Sequence, residues 1–121
     1  MIIAMPVEEQ SLQSKICPSF GRTPFFLIYD IASREHSFLP NSAAESESGA
    51  GIKAAQLVLD SGVGALLTPR CGENAGELLK EAEIKIFKTT QETAQDNLYA
   101  FKGGGLPLLT EFHAGYQGNG N

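Results

Sequence analysis

The spacing of apolar residues changes near residue 51, and that change constrains the fold more than any single motif does. Before it, apolar residues come in short runs. Ile2-Ile3-Ala4-Met5 is stopped by Pro6, which cannot donate to a sheet ladder, and reads as a buried first strand. Phe25-Phe26-Leu27-Ile28-Tyr29 is aromatic and branched, a second strand. Ala32-Ser33-Arg34 then gives a polar turn into Glu35-His36-Ser37-Phe38-Leu39, and strands so close together pair antiparallel as a hairpin. Beyond the change, Ile52, Ala55 and Leu59, with Val58 beside them, follow helical spacing until Ser61-Gly62. Residues 63–67 form a continuous apolar run, the pattern of a strand buried on both faces.

A second helix follows, with Ala75, Leu78, Leu79 and Ala82 on one face and Asn74 as its N-cap. Ile84-Lys85-Ile86-Phe87 is the fifth strand. Thr89 and Glu92 suggest a capping box before a third helix faced by Ala94, Leu98 and Phe101. Residues 7–21 read as a long loop and 41–51 as a flexible connection. Two helix-then-strand units in a row make neighbouring strands parallel through right-handed crossovers. The expectation is an α/β domain over residues 1–106, a mixed five-stranded sheet flanked by three helices in the order β-β-β-α-β-α-β-α, with a flexible tail over 107–121.

In such sheets ligands sit outside the carboxyl ends of the parallel strands, where loops enter helix N-termini. Gly49 and Gly51 precede one helix, and Arg70-Cys71-Gly72-Glu73-Asn74 precedes the next. Their backbone N–H groups, helix dipoles and the loop arginines Arg22 and Arg70 suit an anion. Cys17 and Cys71 lie in loops and offer soft thiolates for copper, zinc or iron–sulfur units, although free cysteines more often serve as small buried hydrophobes. Neither a Walker A sequence nor a dinucleotide fingerprint is present, and no G-x-S-x-G elbow supports a catalytic triad. No catalytic residue is assigned, and an enzymatic role is not expected.

Nine Lys and Arg against fourteen Asp and Glu give a formal charge of -5, which disfavours general binding to nucleic acid or anionic membrane surfaces. No apolar run approaches the ~18 residues of a membrane span, and residues 1–6 lack the features of a signal peptide. Two cysteines are too few for a secreted disulfide framework, so the expected location is cytoplasmic.

Together, Ser19-Phe20-Gly21-Arg22-x-x-Phe25-Phe26, Gly49-x-Gly51-Ile52-x-Ala54-Ala55-Gln56, and Cys71-Gly72-Glu73-Asn74-Ala75 followed by Ala82-Glu83-Ile84-Lys85-Ile86 resemble the dinitrogenase iron–molybdenum cofactor biosynthesis family. The likeness spans residues 1–106 and implies a ribonuclease H-like fold. It also implies a non-enzymatic carrier for a small anionic metal–sulfide cluster containing molybdenum, iron or copper, or for an iron–molybdenum cofactor precursor. The family includes such carriers and a small orange protein that holds a molybdenum–copper sulfide cluster. The expected pocket joins residues 17–22 (Ser19, Phe20, Gly21 and Arg22, with Cys17 as a metal ligand), Gly49 and Gly51, and residues 70–74 (Arg70, Gly72 and Asn74, with Cys71 as a metal ligand). Many members carry His-Phe-Gly where this chain has Ser19-Phe20-Gly21, so the thiols replace an imidazole as the soft ligands on offer. The partners implied are the metallocluster and its donor or acceptor protein, with a homodimer as a further association. The alternative is a protein-interaction or regulatory module of the same fold that binds no cluster.

Overall fold

The computed structural model describes residues 1–114. Strands β1 (Ile2–Val7), β2 (Phe25–Asp30) and β3 (His36–Pro40) are followed by α1 (Ala50–Asp60), β4 (Ala65–Thr68), α2 (Glu73–Glu81), β5 (Lys85–Lys88) and α3 (Ala94–Lys102). The sheet order is β3-β2-β1-β4-β5. β1 and β2 pair antiparallel from Ile2–Asp30 to Val7–Phe25, and β2 pairs antiparallel with β3. β4 runs parallel to both β1 and β5. The mixed five-stranded sheet, three helices and element order are those expected from the sequence, and they have the ribonuclease H-like arrangement.

Side-chain alternation sorts the core into two layers. Ala4, Phe26, Leu66 and Ile86 join Ala54, Ala55 and Val58 of α1 and Ala75 and Leu79 of α2 on one face. Ile3, Met5, Val7, Leu27, Ala65 and Leu67 point the other way and meet Ala94 and Leu98 of α3. β4 is buried at all four positions. Each fully buried aliphatic or aromatic side chain contributes roughly 1.5–3 kcal/mol relative to exposure.

Several boundaries differ from the sequence reading. β1 continues through Pro6 to Val7. The Ile2 carbonyl accepts from Gly64 N–H at 2.8 Å, so the even residues of β1 turn their backbone groups toward β4. Pro6 lies beyond the last β1–β4 pair, Ala4–Leu66, and its missing donor breaks no ladder bond there. α1 begins at Ala50, and Ile52 is 47% exposed instead of contributing to the inner face. Gly72, not Asn74, is the N-cap of α2, with no side-chain cap; the Glu73 N–H is satisfied by the His113 carbonyl at 2.9 Å. α3 is capped by Thr93, whose hydroxyl accepts from Asp96 N–H, so the cap falls four positions after Thr89.

The connection over residues 41–48 is tethered. Buried Asn41 donates through Nδ2 to the carbonyls of Gly21 and Thr23 at 3.1 and 2.9 Å, while its Oδ1 accepts from Ala43 N–H. Residues 107–113 form a docked strap where a flexible tail is the sequence expectation. Lys88 N–H donates to Pro107, Leu109 N–H donates to Ile86, and Leu109 is buried. The Gly/Asn-rich end, residues 117–121, lies outside the described residues. No helix among the described residues is long and apolar enough to cross a membrane.

Candidate functional site

The loop after β1 returns to the carboxyl end of its own strand. Cys17 N–H donates to the Pro6 carbonyl at 3.0 Å, and the buried Thr23 hydroxyl lies 2.9 Å from the Val7 carbonyl and 3.0 Å from that of Phe25. Phe20 is buried against Phe26, with ring centroids 5.3 Å apart, and this anchors the exposed Ser19 and Arg22 on either side. The Ser19 hydroxyl accepts from Arg22 N–H at 3.2 Å.

This loop meets the start of α1. A Cβ on Gly21 would lie 3.0 Å from Gly51 N and 3.1 Å from Gly51 Cα, so the two backbones approach as closely as glycine permits. Gly49 caps α1 in the left-handed region at φ 69°, which favours glycine, and no side chain caps the helix. The first-turn N–H groups of α1 therefore lie beside Gly21 and carry the positive end of the helix dipole. Arg22 locks the junction: its Nη1 donates to the Ala44 and Ser46 carbonyls at 2.9 and 3.0 Å.

The loop from β4 into α2 shares a core with this junction, since Cys71 and Phe20 belong to one buried layer. Thr68 fixes its entry by donating to the Arg70 carbonyl at 2.9 Å. Gly72 and Asn74 sit at the first turn of α2, but the strap covers that end: His113 N–H donates to the Cys71 carbonyl and the His113 carbonyl receives Glu73 N–H. Arg70 is exposed and faces the strap.

The thiols are not poised as thiolates. Cys71 is 1% exposed, and burial pushes its pKa up to about 12 despite the opposing charge of Lys80. Burial also raises the Cys17 pKa, more than hydrogen bonds from Ser19 and Thr23 lower it. Both cysteines are free, and no group of three or more His, Cys, Asp or Glu among the described residues could hold a metal ion. Positive charge at this rim comes from backbone amides and arginine, while Glu8 beside Cys17 and Glu73 in the first turn of α2 add negative charge.

Two ordering residues escape sequence reading. Asn41 ties the β3–α1 connection to the first loop. Asn97, fully buried, accepts from Thr90 and Gln91 N–H and donates to the Gln91 and Thr93 carbonyls, shaping the loop after β5. That loop in turn holds the first one, because the Glu92 carbonyl receives Ile16 N–H at 3.0 Å.

Residues 1–104 match the family model described as dinitrogenase iron-molybdenum cofactor. The apo orange protein from Desulfovibrio gigas is similar at 32% identity and TM-score 0.85, over 90% of this chain and 92% of that one. A protein from Thermotoga provisionally assigned as a NifB protein is 33% identical at TM-score 0.80, over 92% of this chain and 95% of that one. A provisionally assigned dinitrogenase from Methanocaldococcus jannaschii, 19% identical at TM-score 0.70 over 92% of this chain and 96% of that one, shares the fold. No curated protein matches the chain.

Proposed function

The chain belongs to the dinitrogenase iron–molybdenum cofactor family, and from that premise we propose that it is a non-catalytic carrier for a small anionic metal–sulfide cluster or cofactor precursor. The cargo would rest on residues 17–22 with Gly49 and Gly51, with Arg70 at the edge of the neighbouring loop, whose Gly72 and Asn74 lie under the strap. The observation that carries this reading is the backbone approach of Gly21 to Gly51 at a helix start that no side chain caps. Amides there meet negative charge without any proton having to leave. Arg22, anchored at Nη1, adds a fixed positive charge, and Arg70 adds another from the neighbouring loop.

Cys17 and Cys71 serve as auxiliary soft ligands. Each must lose a proton that burial holds in place, so metal capture by either thiol releases a proton. Electrostatic seating therefore comes first, and sulfur coordination follows where the metal is thiophilic enough to displace that proton. The cell compartment that suits such cargo is the reducing cytoplasm, and the partners are proteins that deliver or collect the cluster.

Anaerobic reconstitution with molybdate, copper and sulfide, and separately with ferrous iron and sulfide, tests the proposal. Metal that stays with the protein through gel filtration, together with a visible absorption band, supports it. Loss of all metal in both mixtures overturns it. The buried, protonated thiols favour one second reading, a protein-interaction or regulatory module without cargo. A stable homodimer or a co-purifying protein, with a melting temperature indifferent to metals and anions, would select that reading.

A further inference from the structure

A separate cavity of about 360 Å³ lies between the ends of β4 and β5 and the strap. Pro69 and Arg70 follow β4, Lys88 ends β5, and the strap supplies Leu109, Glu111, Phe112 and His113. We infer that this cavity binds a small monocarboxylate with an apolar body. Its size lies in the range of pockets that hold small organic molecules.

Its charge selects the ligand. Among the lining carboxylate, ammonium and guanidinium groups, Arg70 and Lys88 contribute two positive charges and Glu111 one negative, a formal balance of one positive. One carboxylate matches that balance, and a guanidinium fork fits its two oxygens. A phosphate dianion or a multiply charged cluster would leave excess negative charge beside Glu111. Buried Leu109, half-buried Phe112 and Pro69 offer the apolar wall.

The walls are held in advance of any ligand. The strap is fixed by Lys88 N–H to Pro107 at 2.8 Å, Leu109 N–H to Ile86 at 2.9 Å and Glu73 N–H to His113 at 2.9 Å. Binding would not have to order the segment that forms half of the pocket, which spares the ligand that entropic cost. Only Arg70 is shared with the cargo rim.

The test uses the full, metal-free, ¹⁵N-labelled chain titrated with 4-methylpentanoate, with 4-methylpentanol and with inorganic phosphate. Saturable amide shifts confined to Arg70, Lys88 and residues 109–113 are expected with the carboxylate. The alcohol and phosphate should bind at least about tenfold more weakly, since one charge-assisted contact is lost or one repulsion gained. Lys88→Gln, an exposed change, should weaken the carboxylate about fivefold, and Glu111→Gln should narrow the gap between carboxylate and phosphate. Shifts that do not saturate, that scatter over the surface, that are alike for all three probes, or that Lys88→Gln leaves unchanged would overturn the inference. Because no metal is present, failure here leaves the carrier reading standing, and failed cluster retention leaves this site standing.

Discussion

The ring of Phe112 occupies the space that a side chain on Gly76 would need: a Cβ there would lie 2.7 and 2.8 Å from two ring atoms. Lys80, one helical turn on, sits over the same ring with its Nζ 4.0 Å from the centroid. The strap is thus keyed into α2 by a glycine in the middle of a helix, where glycine otherwise costs about 1 kcal/mol relative to alanine.

Gly76→Ala should therefore displace the strap while leaving the sheet intact. The helical gain of about 1 kcal/mol opposes the lost packing of a half-buried Phe112, so net stability should fall by no more than about 1 kcal/mol. The decisive measurement is amide exchange at Leu109 and His113, which should speed up at least tenfold while β1 and β4 stay protected. Unchanged protection of those two amides would mean that the ring accommodates the methyl in place.

Gly21→Ala strikes backbone, not a movable side chain. Its Cβ would meet Gly51 N at 3.0 Å and Ala50 C at 3.3 Å, so the first loop and α1 must separate. Overpacking of this kind costs about 1–3 kcal/mol. Urea titration should show that loss, and cluster retention should drop with it. An alanine variant of wild-type stability would mean the junction is looser than its geometry.

Asn97→Ala removes two acceptor bonds and two donor bonds from a fully buried position. Leaving those loop groups unsatisfied should cost about 3 kcal/mol. Asn97→Asp keeps the acceptor side but loses both donors to the Gln91 and Thr93 carbonyls, so it should not rescue stability. Chemical denaturation of the two variants separates a hydrogen-bond role from simple filling of space, which Asp would restore.

Cys71 gives a pH dependence with a definite sign. Its folded pKa, about 12, lies above the ordinary thiol value of 9.0, so folding favours the protonated form. The associated stability is complete below pH 9 and declines as pH rises toward 12. The linkage is at most about 4 kcal/mol for a shift of this size. Cys71→Ala should thus lose the alkaline part of the decline: the stability gap between wild type and variant, measured by urea unfolding at pH 8 and again near pH 10.5, should shrink. A gap of constant size would show that the thiol ionises as readily in the folded chain as in the unfolded one.

The sequence carries the sheet and helices well because both layers rest on local periodicity. The apolar run Ile2-Ile3-Ala4-Met5 marks the first strand, and its pleat sends Ile3 and Met5 to one layer and Ala4 to the other, while Val7, which reads as the start of a loop, extends it. Boundaries fail where a partner lies far along the chain. Asn74 looks like a cap because it is an asparagine before a helical run, but the cap donor is satisfied by His113, some forty residues away. Thr89 and Thr93 both suit a helix start, and the bonds made by Asn97 to residues 90, 91 and 93 place the earlier threonine in the loop. At the candidate site, the glycines are legible as turn formers, yet nothing local reveals that Gly21 and Gly51 face each other. The apolar pairing in Leu108-Leu109 and Phe112 is the one signal that the strap docks, and a run of glycines just before it hides that signal.

The strap also decides how copies of this chain could join. Through Pro107, Leu108 and Leu109 it pairs with Lys88, Phe87 and Ile86, which blocks the outer side of β5 against a foreign strand. Lateral growth into a ribbon shared between molecules is left to β3, a five-residue margin that finishes in Pro40. A short border closed by a non-donating residue is a poor template for stacking, so the same few residues that shape a cavity also guard the fold against uncontrolled polymerisation.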